Sequence, residues 1–192
     1  MLEIFKTYIQ GKGEVSDEQF ELVKPLLKPM KVNKGTLLLK KGEICHYFSF
    51  VAKGCLRSYI RGDNNKVHIL EFAPENRWLG DSVSMFRETG SMFYIDAVED
   101  TEMLLLGKDF FTEMPVLFPD FYLTYIHHMH ISVRNIHKRL VHLLGSSGHE
   151  RYLDFIETYP DLGVRLPQHM IASYLGVSPE SLSRIRNRLS HK

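Results

Sequence analysis

The stretch that most constrains this 192-residue chain is its C-terminal segment, Leu166 to Ser190. Pro167 suits the first position of a helix, where a backbone N–H is unpaired in any case. Apolar residues follow at Met170, Ile171, Tyr174 and Leu175, and Gly176 stands where a helix end takes a left-handed residue. Ser178-Pro179 then reads as an N-cap and a first-turn proline. The spacing predicts a second helix from Pro179 to about Ser190, with Leu182, Ile185 and Leu189 on one buried stripe. At roughly 100° per residue, Glu180, Ser181, Arg184, Asn187 and Arg188 gather on the opposite face. A greasy back and a face of long hydrogen-bonding side chains suit a helix that enters a DNA major groove from a scaffold. Any amphipathic surface helix with arginines shows the same split. What favours the groove is the pair of helices: Ala172 is small where they must approach, Gly176 makes the turn, and Leu182 and Ile185 fill the angle.

Charge is distributed to match. The net charge is only +1, so the chain is not a uniformly basic nucleic-acid binder. Residues 1–120 hold 15 Lys and Arg against 18 Asp and Glu, whereas residues 121–192 hold 9 against 5. Positive potential thus collects where phosphates would be met. No apolar run approaches the roughly 20 residues that span a bilayer, so no membrane partner is expected. The start, MLEIFKTYIQGKGE, lacks the basic opening and apolar run of a secretory signal. Cys45 and Cys55 are too few for a disulfide framework or an iron–sulfur cluster, and the expected compartment is the cytoplasm.

Upstream, Ser16 to Gln19 is a capping box that opens a helix carrying Phe20, Leu22, Val23, Leu26 and Leu27, trimmed or kinked at Pro25. A shorter helix is expected at Leu2–Ile9. From about Met30 to Leu106 the period becomes two, with strands expected at 36–40, 45–52, 55–61, 66–72, 92–98 and 101–106. Turn signals such as Lys41-Gly42-Glu43, Lys53-Gly54 and Gly62-Asp63-Asn64-Asn65 separate them. Short strands at close spacing argue for an antiparallel barrel or jelly roll, its core drawn from Phe48, Phe50, Leu56, Ile60, Val67 and Ile69. After a short helical linker at 108–118 comes a long helix, about Asp120 to Leu144. Its Ile126, Met129, Val133, Ile136, Leu140 and Leu143 alternate three and four apart, the seam of a coiled coil. The same stripe would also serve a helix packed along the barrel. A homodimer seam is favoured because a DNA-reading helix pair usually needs two-fold symmetry. Gly145-Ser146-Ser147-Gly148 breaks this helix, and a further helix is expected at His149–Tyr159, followed by a turn at Asp161-Leu162-Gly163.

A helical start, a barrel, a long seam helix, a hinge and a terminal helix pair together resemble one family over nearly the whole chain. This is the cyclic-AMP receptor protein / fumarate-nitrate regulator (Crp/Fnr) family of bacterial transcription factors, and IASYLGVSPESLSRIRNRL (171–189) carries the strongest local likeness. The resemblance implies an α+β fold: an effector-type antiparallel jelly-roll barrel over 1–118, a dimerisation helix over 119–144 and a winged-helix-like helix-turn-helix domain over 149–192. It implies double-stranded DNA as partner, with RNA polymerase a further candidate. By position, Glu180 and Arg184 match the family's base-reading residues and Ser181 sits near phosphate; Ser178, Asn187 and Arg188 complete the candidate set. Pro179 stands where many members carry an arginine, which implies a different base preference. In the barrel, Gly80 and Asp81 match the glycine and ribose-binding glutamate of the nucleotide-binding members. Their phosphate-gripping arginine has no counterpart: the matching position is near Ser91, and Arg87 is offset. A buried phosphate there would lack its bidentate contact, which argues against cyclic-nucleotide binding and leaves an unknown small-molecule effector or a self-packed pocket.

Rival chemistries fare less well. His127, His128, His130, His137 and His142 scatter around the long helix instead of converging as zinc ligands must, so no metal and no catalytic residue is predicted. A cupin-type barrel enzyme would need several histidines with a carboxylate on barrel strands, and the barrel has only His46 and His68. A non-catalytic protein-binding module remains a third reading, one in which loss of Arg184 would be tolerated.

Overall fold

Alternate residues along the two central strands of the N-terminal half point into two separate cores. The computed structural model describes residues 1–11 and 15–190; of residues 63, 120–125, 127, 128 and 190 the backbone alone is described. Helices α1 (Leu2–Gln10) and α2 (Asp17–Val23) lead into strands β1 (Leu27–Val32), β2 (Leu37–Leu39), β3 (Tyr47–Lys53), β4 (Leu56–Arg61), β5 (Val67–Ala73) and β6 (Trp78–Leu79). Helix α3 (Ser82–Arg87), strands β7 (Tyr94–Ala97) and β8 (Thr101–Gly107) and helix α4 (Lys108–Leu117) follow. The strands form two four-stranded sheets, in the orders β1-β8-β3-β6 and β2-β7-β4-β5. The β1–β8, β3–β8, β3–β6, β2–β7 and β4–β7 pairs are all antiparallel.

In β3, Phe50 and Ala52 join one core and Val51 the other; in β8, Leu104 and Leu106 join the first and Met103 the second. The first core gathers Phe5, Ile9, Phe20 and Val23 of α1 and α2 with Phe110 and Met114 of α4. The second holds Val32, Leu39, Leu56, Ile95 and Ala97 from the two sheets. Each buried large side chain contributes roughly 1.5–3 kcal/mol, and a period of two is the pattern that feeds both faces of one sheet.

Helices α5 (Pro119–Gly145), α6 (Gly148–Thr158), α7 (Leu162–Arg165), α8 (Gln168–Leu175) and α9 (Pro179–Ser190) complete the chain. Contacts divide it into two compact units, residues 1–60 with 71–129 and residues 61–70 with 130–192. The second unit therefore includes the β4–β5 connection and the first four residues of β5. Both predicted capping motifs at α2 and at the α8–α9 turn are made. Ser16 and Gln19 exchange bonds at 3.2 and 2.8 Å. Gly176 takes φ +65°, with Val177 N–H bonded to Ala172 O and Gly176 N–H to Ser173 O, the Schellman pattern.

Several expectations are corrected. Leu27, expected on a helix, opens β1, which pairs with β8 along its whole length; Pro29 and the exposed lysines mask its period. Pro25 falls in a 3-10 turn, Lys24–Leu26. Ile60 is more than one-third exposed at the end of its strand, not core. The turn expected at Asp161–Gly163 is the start of α7, and Pro167 is the residue before α8 and not its first. Helix α3 and strand β6 had no clear sequence signal. Among the described residues no strand follows Gly145, so the helix-turn-helix has no sheet of its own beyond that point. The strand residues that cluster with it come from Arg61–Leu70.

Gly54 tests a tight turn of the barrel. Its φ is +100°, and an added Cβ would stand 2.6 Å from both Asp100 O and Thr101 Oγ1. Gly54→Ala is expected to lower stability by at least about 2 kcal/mol, through strain and overpacking together. A urea-unfolding midpoint equal to that of the parent chain would contradict this.

Candidate nucleic-acid interface and effector pocket

The helix-turn-helix is built on an aromatic platform. Phe155 of α6 lies 5.5 Å from Tyr159 and 5.6 Å from Tyr174 of α8, centroid to centroid, and Tyr159 meets Tyr174 edge-on at 5.9 Å. Helix α6 packs against both α8 and α9. Ser147 and Glu150 close a capping box at its start, and the bonds from Ser147 hold the Glu150 carboxyl below its ordinary pKa. A side chain at Gly148 would reach Val177 and Ile185 at 3.1 and 3.2 Å, so this glycine lets α6 approach the turn closely. Ile171, Ala172, Leu175 and Leu182 are all buried.

With Leu182 inside, the helical period turns the polar residues out. Ser178, Glu180, Arg184, Asn187 and Arg188 are exposed, Ser181 half-buried, and Arg186 half-buried beside Ile185. Ser178 Oγ accepts the Ser181 N–H at 3.2 Å, which caps α9. The Ser178 hydroxyl also holds the Glu180 carboxyl below its ordinary pKa, assisted by the Glu180 backbone N–H and, more weakly, by Arg184. Glu180 is thus an acceptor at neutral pH, beside a guanidinium one turn on. The six candidate residues share one end or face of α9, where they can offer both donors and an acceptor to base edges and phosphates.

The effector-pocket candidates do not come together as a ligand cradle. Asp81 caps α3: its Oδ1 accepts the Ser84 N–H at 3.0 Å, and its Oδ2 accepts the Ser91 hydroxyl at 2.9 Å. Ser91 is buried, and its Oγ also accepts the Phe93 N–H at 3.3 Å. Ser84 Oγ donates to Thr89 O at 2.6 Å and accepts the Cys45 N–H at 2.9 Å. Burial pushes the Cys45 thiol pKa up. Both carboxylate oxygens of Asp81 are therefore used within the turn. Gly80 is required by packing, since a Cβ there would fall 2.6 Å from the Phe48 ring. Arg87, in the last turn of α3, is exposed and outside this network.

Residues that the sequence did not flag supply the barrel's buried charge. Arg57 of β4 and Asp96 of β7 lie opposite each other and form a bidentate pair at 2.7 and 2.9 Å, both side chains largely buried. Arg57 also lies 4.7 Å from the centroid of Tyr59, which stacks on Tyr94 at 5.2 Å. A pairing across 39 positions leaves no local signal. Among the described residues no group of three or more His, Cys, Asp and Glu could hold a metal ion; the side chains of His127 and His128 lie outside them. No helix of the described residues is long and apolar enough to cross a membrane.

Along α5, Val133, Ile136, Leu140 and Leu143 are 38 to 64% exposed, while Ile126 and Met129 are half-buried. A single helix thus presents four large apolar residues of the predicted seam to solvent in one chain.

Comparison with known proteins places this architecture. Residues 29–115 match the family profile of the cyclic nucleotide-binding domain. No curated protein sequence matches the chain. Among solved structures, FixK2 from Bradyrhizobium japonicum superposes with a TM-score of 0.75 at 16% identity, covering 86% of this chain and 85% of that one. A Crp/Fnr-family transcriptional regulator from Eubacterium rectale gives 0.67 at 17% identity, over 92% of this chain and 84% of that one. The c-di-GMP responsive global regulator CLP of Xanthomonas campestris gives 0.69 at 12% identity, over 92% of each. The chain has the fold of these regulators, a cyclic nucleotide-binding-like barrel followed by helices.

Proposed function

We propose that this chain, built as Crp/Fnr regulators are, is a cytoplasmic, homodimeric DNA-binding transcription regulator and not an enzyme. The observation that carries the reading is the outward polar face of α9, with Glu180, Arg184, Asn187 and Arg188 exposed while Leu182 is buried behind them. In a major groove, Arg184 would donate to a base edge and Glu180 would accept from one. Ser178, Ser181 and Arg188 would meet phosphate, and Asn187 would serve either. The exposed seam of α5 supports the dimer: four large apolar residues in solvent are costly for a lone helix and ordinary for one covered by its symmetry mate. Two recognition helices would then read half-sites roughly 34 Å apart. RNA polymerase is a candidate partner of the bound dimer.

The barrel serves as a sensor for a small-molecule effector of unknown identity, which would shift the population of dimer arrangements. CLP responds to a cyclic dinucleotide. Here the turn that would hold a cyclic phosphate is closed by its own Asp81–Ser91 bond, without a guanidinium, and this favours an effector of another kind.

Arg184→Ala is expected to weaken binding to the preferred duplex by about 1–3 kcal/mol and to narrow the gap to a scrambled duplex. Equal discrimination by variant and parent in fluorescence anisotropy would remove Arg184 from base reading. Leu140→Glu should convert the dimer to monomer in sedimentation velocity; an unchanged sedimentation coefficient would place the seam elsewhere. Cyclic AMP should leave the thermal midpoint unchanged, whereas a true ligand at 100 times its Kd would add about 2.7 kcal/mol. A saturable upward shift would show that the barrel grips the phosphate by another route.

A further inference from the structure

Among the described residues, strand β5 is the last of its sheet, so one row of its backbone groups has no neighbouring strand. Residues 67–70 belong to the same compact unit as the helix-turn-helix, and there side chains meet that row. The Ser173 hydroxyl of α8 donates to the Val67 carbonyl at 2.7 Å and accepts the Ile69 N–H at 3.1 Å. The Arg139 guanidinium of α5 donates through Nη2 to the carbonyls of Ile69 and Tyr174 at 2.7 and 2.9 Å, and through Nη1 to the Leu70 carbonyl. Its central carbon lies 4.2 Å from the centroid of the Tyr174 ring, itself part of the aromatic platform under the helix pair. One hydroxyl thus supplies two of the bonds that a further strand would make, and one guanidinium ties α5, the strand and α8 together.

Covering an edge would need no more than a bulky side chain. The fork of Arg139 does something else as well. The Tyr174 carbonyl is one of the last in α8, which no helical N–H satisfies, and a cation there is favoured by the helix dipole. Tyr174 stands two residues before Gly176, where the chain turns towards α9. The fixed point is therefore next to the turn that aims the recognition helix.

We infer that Arg139 and Ser173 are positioning residues: they clamp α8 to the edge of β5 and so fix the direction in which α9 leaves the Gly176 turn. The inference rests on the reading of α9 as the DNA-contacting helix. Water can replace each of these bonds, so the clamp selects one arrangement from several that the unit would otherwise populate. Loosening it multiplies the orientations from which DNA must select, and affinity falls by the fraction still competent. Neither residue lies on α9, so the bases preferred do not change.

The test uses Arg139→Gln and Ser173→Ala in the full-length chain, with amide hydrogen exchange and titration of a duplex that the parent chain selects from random sequence. Exchange at the Ile69 amide should accelerate about tenfold, binding should weaken about tenfold, and the ratio of selected to scrambled duplex should hold. Unchanged exchange at Ile69 overturns the clamp. Faster exchange with unchanged or tighter binding overturns its positioning role. Ser173→Ala removes a single oxygen and carries the test alone if Arg139→Gln does not fold. A parent chain that selects no duplex refutes the DNA reading, and Ile69 exchange then still decides whether the clamp exists.

Discussion

Burial of Leu182 decides what the C-terminal unit can offer a partner. This side chain is fully enclosed where α9 packs beside α6 and α8. A helix has one rotational setting in which a given residue is inside, so enclosing Leu182 settles that Arg184, Asn187 and Arg188 are outside. The aromatic platform of Phe155, Tyr159 and Tyr174 makes that setting stiff, and the left-handed Gly176 brings α9 back across it. A polar face pinned this way loses little freedom on binding, which is what specific recognition of a rigid duplex requires.

Two of the barrel's charges are turned inward, and a third is bonded within its own turn. Arg57 and Asp96 neutralise each other across two strands, and Asp81 spends both oxygens on Ser84 and Ser91. A buried ion pair gains little net stability because both charges are desolvated, but removing one partner leaves the other stranded at a cost of roughly 3–5 kcal/mol. An anionic effector would need a cation that is already committed to Asp96, or one brought from elsewhere.

How much of this was legible in the sequence follows from how local each signal is. The Ser16–Gln19 capping box, the Gly176 turn and the 3.6-residue stripe of α9 are set by neighbours within four positions, and all appear where the spacing put them. Most strands were visible through their period of two. Strand β1 was not, because Pro29 and the exposed lysines Lys28 and Lys31, which fall on opposite faces, interrupt the pattern while its pairing with β8 is long-range. The polar residues of α9 were legible as a face. The segment from Gly80 to Ser91 was legible only as residue types: Asp81 and Ser91 bond each other, while Arg87 is exposed. Arg57–Asp96 and the Arg139–Ser173 clamp join positions 35 to 106 residues apart, and nothing in local spacing announces them.

The most direct measurement is selection from a random duplex library by the full-length chain, followed by a salt titration on the most enriched sequence. The predicted result is an inverted repeat with half-site centres about 10 base pairs apart and an affinity that falls steeply and linearly in log–log form with salt. A library returned without any enriched motif, or binding indifferent to salt, would contradict a DNA-reading role for α9.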